Sequence, residues 1–210
     1  MIALGKHLIL LACFALTLGS ATVSMAQARP PQILEIYRDY LKPEAVAANR
    51  TLEKRAEQLC ETLGFQHPYL TIESVSAPPE MWYFNGFESQ AEVEKLRREY
   101  AQNTKLMAAL GEIVQQKQPL KRSESTDEFA SYRPDLSRGD PWIVGRGRFL
   151  VIAFFHNDPP LSGTVFEIND GGRMLVRTAQ TSSEARALAA SAGPTARIFR
   201  SFFYFRPRDM

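Results

Sequence analysis

One ladder-and-helix pattern is written twice along this chain. In the first copy the strand-like runs Tyr69–Val75 and Met81–Gly86 flank Ala77-Pro78-Pro79-Glu80, and Ser89-Gln90-Ala91-Glu92 then opens a helix. In the second, Thr164–Ile168 and Met174–Thr178 flank Asn169-Asp170-Gly171-Gly172, and Thr181-Ser182-Ser183-Glu184 opens a helix. Alternating runs around turn residues read as hairpins. Ser89 and Glu92 make a capping box, in which each side chain bonds a free backbone N–H of the first turn. A helix that follows a hairpin must bury its apolar stripe on a sheet, so the pattern restricts the chain to an α+β layering.

The flanking segments extend each copy. Gln32–Tyr40 alternates as a strand, and Pro43 sits where a helix begins. Val46, Asn49, Leu52, Ala56, Leu59, Cys60 and Leu63 then recur at helical spacing, with Gly64 in position to end the helix. A second helix is predicted from Ala91 to Ile113, then a polar loop over Gln115–Ser123 and a fourth strand over Glu128–Arg133. The order β-α-β-β-α-β is the ferredoxin-like unit. Three glycines and a proline in Arg138–Gly147 mark a junction. Beyond it Arg148–Phe155 is a strongly apolar strand, Ser182–Ser191 a short helix with Thr181 or Ser182 at its cap, and Ile198–Phe205 a closing strand. The connection Asn157–Gly163 contains two prolines and is too short for a covering helix. The second unit is therefore a shortened β-β-β-α-β. The predicted division is 1–28 as a signal peptide, 29–137 as the first unit, 138–147 as a linker and 148–210 as the second unit.

Lys6 and His7 precede the apolar run Leu8–Leu18, and Ala26-Gln27-Ala28 supplies a small-x-small cleavage site. That is the layout of a secretory signal peptide, and the run falls short of the roughly 20 residues of a spanning helix. Export to the periplasm or the exterior is expected, with no membrane association after cleavage. Only Cys60 then remains, so no intramolecular disulfide forms. Lys and Arg total 25 against 23 Asp and Glu, a balance that gives no footprint for nucleic acid.

Ile36-Tyr37-Arg38 with Lys42-Pro43, Pro68-Tyr69-Leu70, Glu80-Met81-Trp82-Tyr83-Phe84, Phe87-Glu88-Ser89 and Tyr132-Arg133-Pro134-Asp135-Leu136-Ser137 span roughly residues 32–137. Through them the first half resembles the dimeric α+β-barrel superfamily, with its NIPSNAP-like and antibiotic-biosynthesis-monooxygenase-like domains. The resemblance implies two ferredoxin-like sheets that enclose a barrel, supplied by two units of one chain or by two chains. Haem-degrading members of the superfamily use an Asn on the first strand, a Trp on the third and a His on the second helix. Trp82 matches the Trp, but Gln32–Tyr40 has no Asn and Ala91–Ile113 no His, so that activity is not expected.

No phosphate loop, nucleophile elbow or metal spacing is present, and no cofactor or metal is expected. Strand alternation supplies the candidate site. If Leu34, Ile36, Leu70 and Ile72 face the helices, the opposite face carries Glu35, Tyr37, Tyr69, Thr71 and Glu73, with Trp82 or Tyr83 added according to register. Glu35, Tyr37, Tyr69, Glu73 and Trp82 are the expected contacts of a small, partly apolar molecule held between the sheets. Glu35 and Glu73 would meet Arg177 or Arg200 across the barrel. The alternatives are a cofactor-independent monooxygenase-like enzyme with His156 or Glu73 as base, and a non-catalytic homodimer that buries the sheet left without a helix.

Overall fold

The computed structural model describes residues 29–205 except 66, 76–77, 140–146, 160 and 170; the segment expected to be a signal peptide and most of the expected linker lie outside the described residues. The described residues form eight strands: β1 Ile33–Tyr40, β2 Tyr69–Ser74, β3 Glu80–Phe87, β4 Thr126–Tyr132, β5 Phe149–Phe155, β6 Thr164–Ile168, β7 Arg173–Ala179 and β8 Arg197–Phe205. Four α-helices accompany them: α1 Val46–Thr62, α2 Gln90–Gln102, α3 Thr104–Lys117 and α4 Ser182–Ala192.

Every strand pairs antiparallel with its neighbours, and the ring β1-β3-β2-β8-β5-β7-β6-β4 closes on itself. The fold is an α+β barrel. Each half supplies four consecutive strands, in the orders β4-β1-β3-β2 and β8-β5-β7-β6. The halves meet at β2·β8 and β4·β6, so a single chain closes the barrel.

An eight-stranded barrel has an interior just wide enough to be filled by side chains. Leu34, Ile36, Leu70, Ile72, Trp82, Phe84, Leu150, Ile152, Phe166, Met174, Val176 and Phe199 fill it here. This reverses the expected orientation of the first sheet: the wholly apolar set points inward, and the set with Glu35, Tyr37, Tyr69 and Glu73 points outward beneath α1–α3. Alternation separates two faces without saying which one is enclosed. A dry barrel interior accepts only the set that leaves no polar group unpaired.

The helix starts follow local chemistry. Ser89 Oγ accepts from Glu92 N–H at 3.3 Å and Thr181 Oγ1 from Glu184 N–H at 3.1 Å. In both boxes the Glu carboxylate reaches one residue beyond the cap, to Glu88 N–H at 2.7 Å and Gln180 N–H at 2.8 Å. The single helix predicted over Ala91–Ile113 is broken at Asn103. Its side-chain oxygen caps α3 through Leu106 N–H at 3.1 Å, and its amide donates to Leu63 O at 3.1 Å. Asn103 thus ties the start of α3 to the end of α1. The segment expected as a loop after Gln115 is instead the last turn of α3 followed by a 3-10 turn, Gln118–Leu120.

No helix lies between β5 and β6 among the described residues. The outward row Ala153, Leu175 and Val165 is nevertheless buried within the one chain. Gly163 packs there so closely that a Cβ would stand 2.6 Å from Leu175 Cδ1, at a φ of +153° that favours glycine.

Candidate functional site

The outer face of the first sheet is arranged in rows by strand register. Phe129, Glu35, Asn85 and Tyr69 lie side by side on β4, β1, β3 and β2. The next row is Asp127, Tyr37, Tyr83 and Thr71, which places Tyr83 rather than Trp82 on this face. Above them α1 presents Asn49, Glu53, Ala56 and Cys60 at successive turns, α2 brings Tyr100, and α3 brings Leu110. Between the helices and the sheet lies a cavity of about 320 Å³ lined by Tyr37, Tyr69, Tyr83, Tyr100, Glu35 and Asp127, among others.

One end of this space is built from a buried polar network. Lys117 Nζ lies 2.5 Å from Asp39 Oδ2, 2.6 Å from Glu53 Oε1 and 2.8 Å from Tyr83 Oη. Tyr83 Oη donates to Glu53 Oε1 at 2.6 Å. Lys121 Nζ and Ser125 Oγ hold the other oxygen of Asp39 at 2.8 and 2.7 Å. Burial alone would raise the Asp39 carboxyl, but Lys117, Lys121 and Ser125 outweigh it and hold the group below its ordinary value. Burial, then Glu53 and Asp39, keep the Tyr83 phenol protonated well above its usual range.

The carboxyls nearer the mouth behave differently. Burial, then Asp127, raises Glu35, opposed by the Asn85 amide, which donates to Glu35 Oε2 at 2.9 Å, and by Arg97. Burial also raises Asp127, with Arg97 pulling against it. Arg97 stands 3.8 Å from Glu35 Oε1 on a side chain 59% exposed. Burial pushes the Cys60 thiol up to about 11, which makes it an inert part of the wall.

Glu35, Tyr37 and Tyr69 therefore come together, but between helices and sheet rather than between sheets. Trp82 is separate from them: 1% exposed inside the barrel, it donates from Nε1 to Glu80 Oε2 at 2.9 Å. Glu73 is gripped by Arg50 of α1, with Arg200 of the adjacent strand at 3.6 Å. The Arg200 contact is lateral, outside the barrel, and not across it. His156 is exposed just beyond β5 and does not line the cavity. The sequence reading did not single out Asp39, Glu53, Lys117 or Asp127 as functional groups. Glu53 sits four residues after Asn49 on the α1 stripe, and Lys117 continues the α3 series Leu106, Leu110 and Ile113. A charge inside an apolar stripe was the available signal.

His67 stacks on Phe87 with ring centroids 4.6 Å apart, and its Nε2 is buried without a hydrogen-bond partner among the described residues. Burial lowers its pKa from 6.5 to about 4, against the pull of Glu92 and Glu99. Between those values the unfolded chain binds the proton and the folded one does not, so stability falls as pH drops through that window. The expected loss is about 3 kcal/mol. Urea midpoints measured from pH 7 to 4 will show it as a difference from His67→Phe, which keeps the stack and removes the titration.

Among the described residues no group of three or more His, Cys, Asp or Glu side chains is placed to hold a metal, and no helix is long and apolar enough to cross a membrane. No family model matches the chain, and no curated protein sequence matches it. A solved structure from Fusobacterium nucleatum subsp. nucleatum, described as a "putative monooxygenase", is similar in fold: TM-score 0.55, 7% identity, covering 84% of this chain and 95% of that one. At that identity the likeness concerns the fold alone.

Proposed function

We propose that this is an exported protein that binds a small, partly apolar organic molecule in the cavity between α1–α3 and the first sheet. The carrying observation is the cavity itself: about 320 Å³, lined mostly by apolar and aromatic surface, with a few polar groups held in fixed positions. Small-molecule sites have that composition and a volume of roughly 300–1,000 Å³. The two strand orders support reading the halves as two ferredoxin-like units, the second one helix short, and support the kinship with NIPSNAP-like and antibiotic-biosynthesis-monooxygenase-like domains. Export rests on the N-terminal signal pattern.

A second reading, a cofactor-independent monooxygenase-like enzyme, draws support from the fold of the Fusobacterium protein and from Glu35. That carboxyl lies in the cavity, is raised by burial and Asp127, and is oriented by Asn85, as a general base is. Glu73 and His156, the bases expected from the sequence, do not line the cavity.

Native mass spectrometry of protein isolated from the export compartment tests the binding reading. The expected spectrum shows a mass above that of residues 29–210 that disappears on denaturation and is missing from Ala56→Trp, which fills the cavity. A bare chain in both, with no small molecule recovered, overturns it.

A further inference from the structure

We infer that the cavity selects an organic ammonium ion attached to an aromatic or apolar body. The inference rests on the cavity being a ligand site and goes further by assigning the ligand's charge. Among the described residues, three carboxylates line the space, Glu35, Glu53 and Asp127, and no Lys or Arg side chain does. Glu53 is already neutralised by Lys117 at 2.6 Å and by the Tyr83 hydroxyl. Glu35 and Asp127 share the weaker pull of one largely exposed cation, Arg97. They lie diagonally across the β1·β4 pair, where Glu35 is opposite Phe129 and Asp127 opposite Tyr37. Diagonal neighbours on one sheet face are close enough for a single group to address both.

Arg97 is the cation that acts on both members of this pair, and its side chain is largely exposed. Its Nη2 is 3.8 Å from Glu35 Oε1, beyond hydrogen-bond length, and its guanidinium lies 5.4 Å from the Phe129 ring centroid. An anionic ligand would add a third like charge to the pair. A neutral ligand would displace water from both carboxylates without compensating their charge, which is costly. An ammonium group does neither.

The aromatic walls favour the same species. Tyr37, Tyr69, Tyr83 and Tyr100 surround the space, and Tyr37 and Tyr83 are 5.7 Å apart at 55°, so their rings are tilted and not stacked face to face. Ring faces attract cations and also pack apolar groups, and aromatic cages for alkylated ammonium ions combine both effects. Asn85 holds Glu35 in place, so the acceptor is positioned before a ligand arrives. Tyr100 also borders a second cavity of about 240 Å³ lined by Phe65, Leu96 and Leu106, where an apolar tail could extend.

The test is calorimetric titration of the purified protein at pH 7 with three probes on one carbon skeleton: 3-phenylpropylamine, 3-phenyl-1-propanol and 3-phenylpropanoate. The amine is expected to bind about tenfold or more tighter than the alcohol, and the acid not at all. In the double substitution Glu35→Gln and Asp127→Asn, the amine-to-alcohol ratio should fall toward one. The wild-type comparison stands even if that variant folds poorly. An alcohol that binds as tightly as the amine, or a preference for the acid, overturns the charge assignment and leaves the binding site intact. Failure of all three probes to bind at millimolar concentration overturns the charge assignment and the binding reading together.

Discussion

Replacing Lys117 by Met will destabilise the protein by about 3–5 kcal/mol, the cost typical of breaking a buried ion pair from one side. Lys117 is 7% exposed, and its ammonium lies against the carboxylates of Asp39 and Glu53, residues that are themselves 0% and 3% exposed. Removing it leaves Glu53 with only the Tyr83 hydroxyl, while Asp39 keeps Lys121 and Ser125. Most of the loss should therefore trace to Glu53. The double variant Lys117→Met, Glu53→Gln should recover at least about 1 kcal/mol over the single one, a coupling that contacting residues show. Urea midpoints measure both values. Additive losses would mean that the network is wetted and its charges screened.

The same network fixes the pH window of its own contribution. The Asp39 carboxyl is held below its ordinary value of 3.8, so its stabilisation is present above that value and is lost as pH falls through the folded one. Burial alone would lower Lys117, but Glu53 and Asp39 outweigh it and raise the group above 10.5. Its contribution is complete below 10.5 and disappears as pH rises through the folded value. Across neutral pH the network is constant, and acid sensitivity there belongs to His67 instead.

What the sequence made legible was local. The cap at Ser89 could be placed, and that of α4 narrowed to Thr181 or Ser182, because an N-terminal cap depends on residues three apart. The eight strands followed from alternation and turn residues, and the absent helix of the second half followed from the prolines after Asn157. The strand face chosen for the interior was not legible, because Leu34 and Glu35 alternate identically whichever side the other half covers. Only the closing contacts β2·β8 and β4·β6, more than 30 residues apart in the chain, decide it. Glu53 and Lys117 were missed for a related reason. Each is an unexplained charge on an apolar stripe until the other helix and Asp39 are brought against it. Asn103 was read through because a helix break at a polar residue is recognisable only when its side chain has found the next turn and Leu63 O.

Glu80→Ala will cost a comparable 3–5 kcal/mol, at the other kind of polar site, inside the end of the barrel. Glu80 is 3% exposed and accepts from Trp82 Nε1 at 2.9 Å and from Arg197 Nη1 at 2.6 Å, with Arg122 Nη2 at 3.5 Å. Arg38 enters the same region, its guanidinium 4.1 Å from the Trp82 ring centroid and paired with Glu128. Without the Glu80 carboxylate the indole N–H is buried unpaired, and Arg197 loses the acceptor that joins β8 to β3 across β2. Arg38 would keep Glu128, while Arg122 and Arg197 would lose the ion pair described for each of them. Glu80→Gln keeps the length and an acceptor for Trp82 but removes the charge, so it should cost less than the Ala variant. For a chain of this size the Ala loss corresponds to a fall in melting temperature of roughly 10 °C. A near-UV circular dichroism scan resolves it, since Trp82 is held by the contact being removed. Equal melting temperatures for the Ala and Gln variants would show that the charge carries the whole effect and the indole bond none. An unchanged melting temperature for Glu80→Ala would show that the barrel end is open to water, which would then satisfy Trp82 and the arginines in place of Glu80.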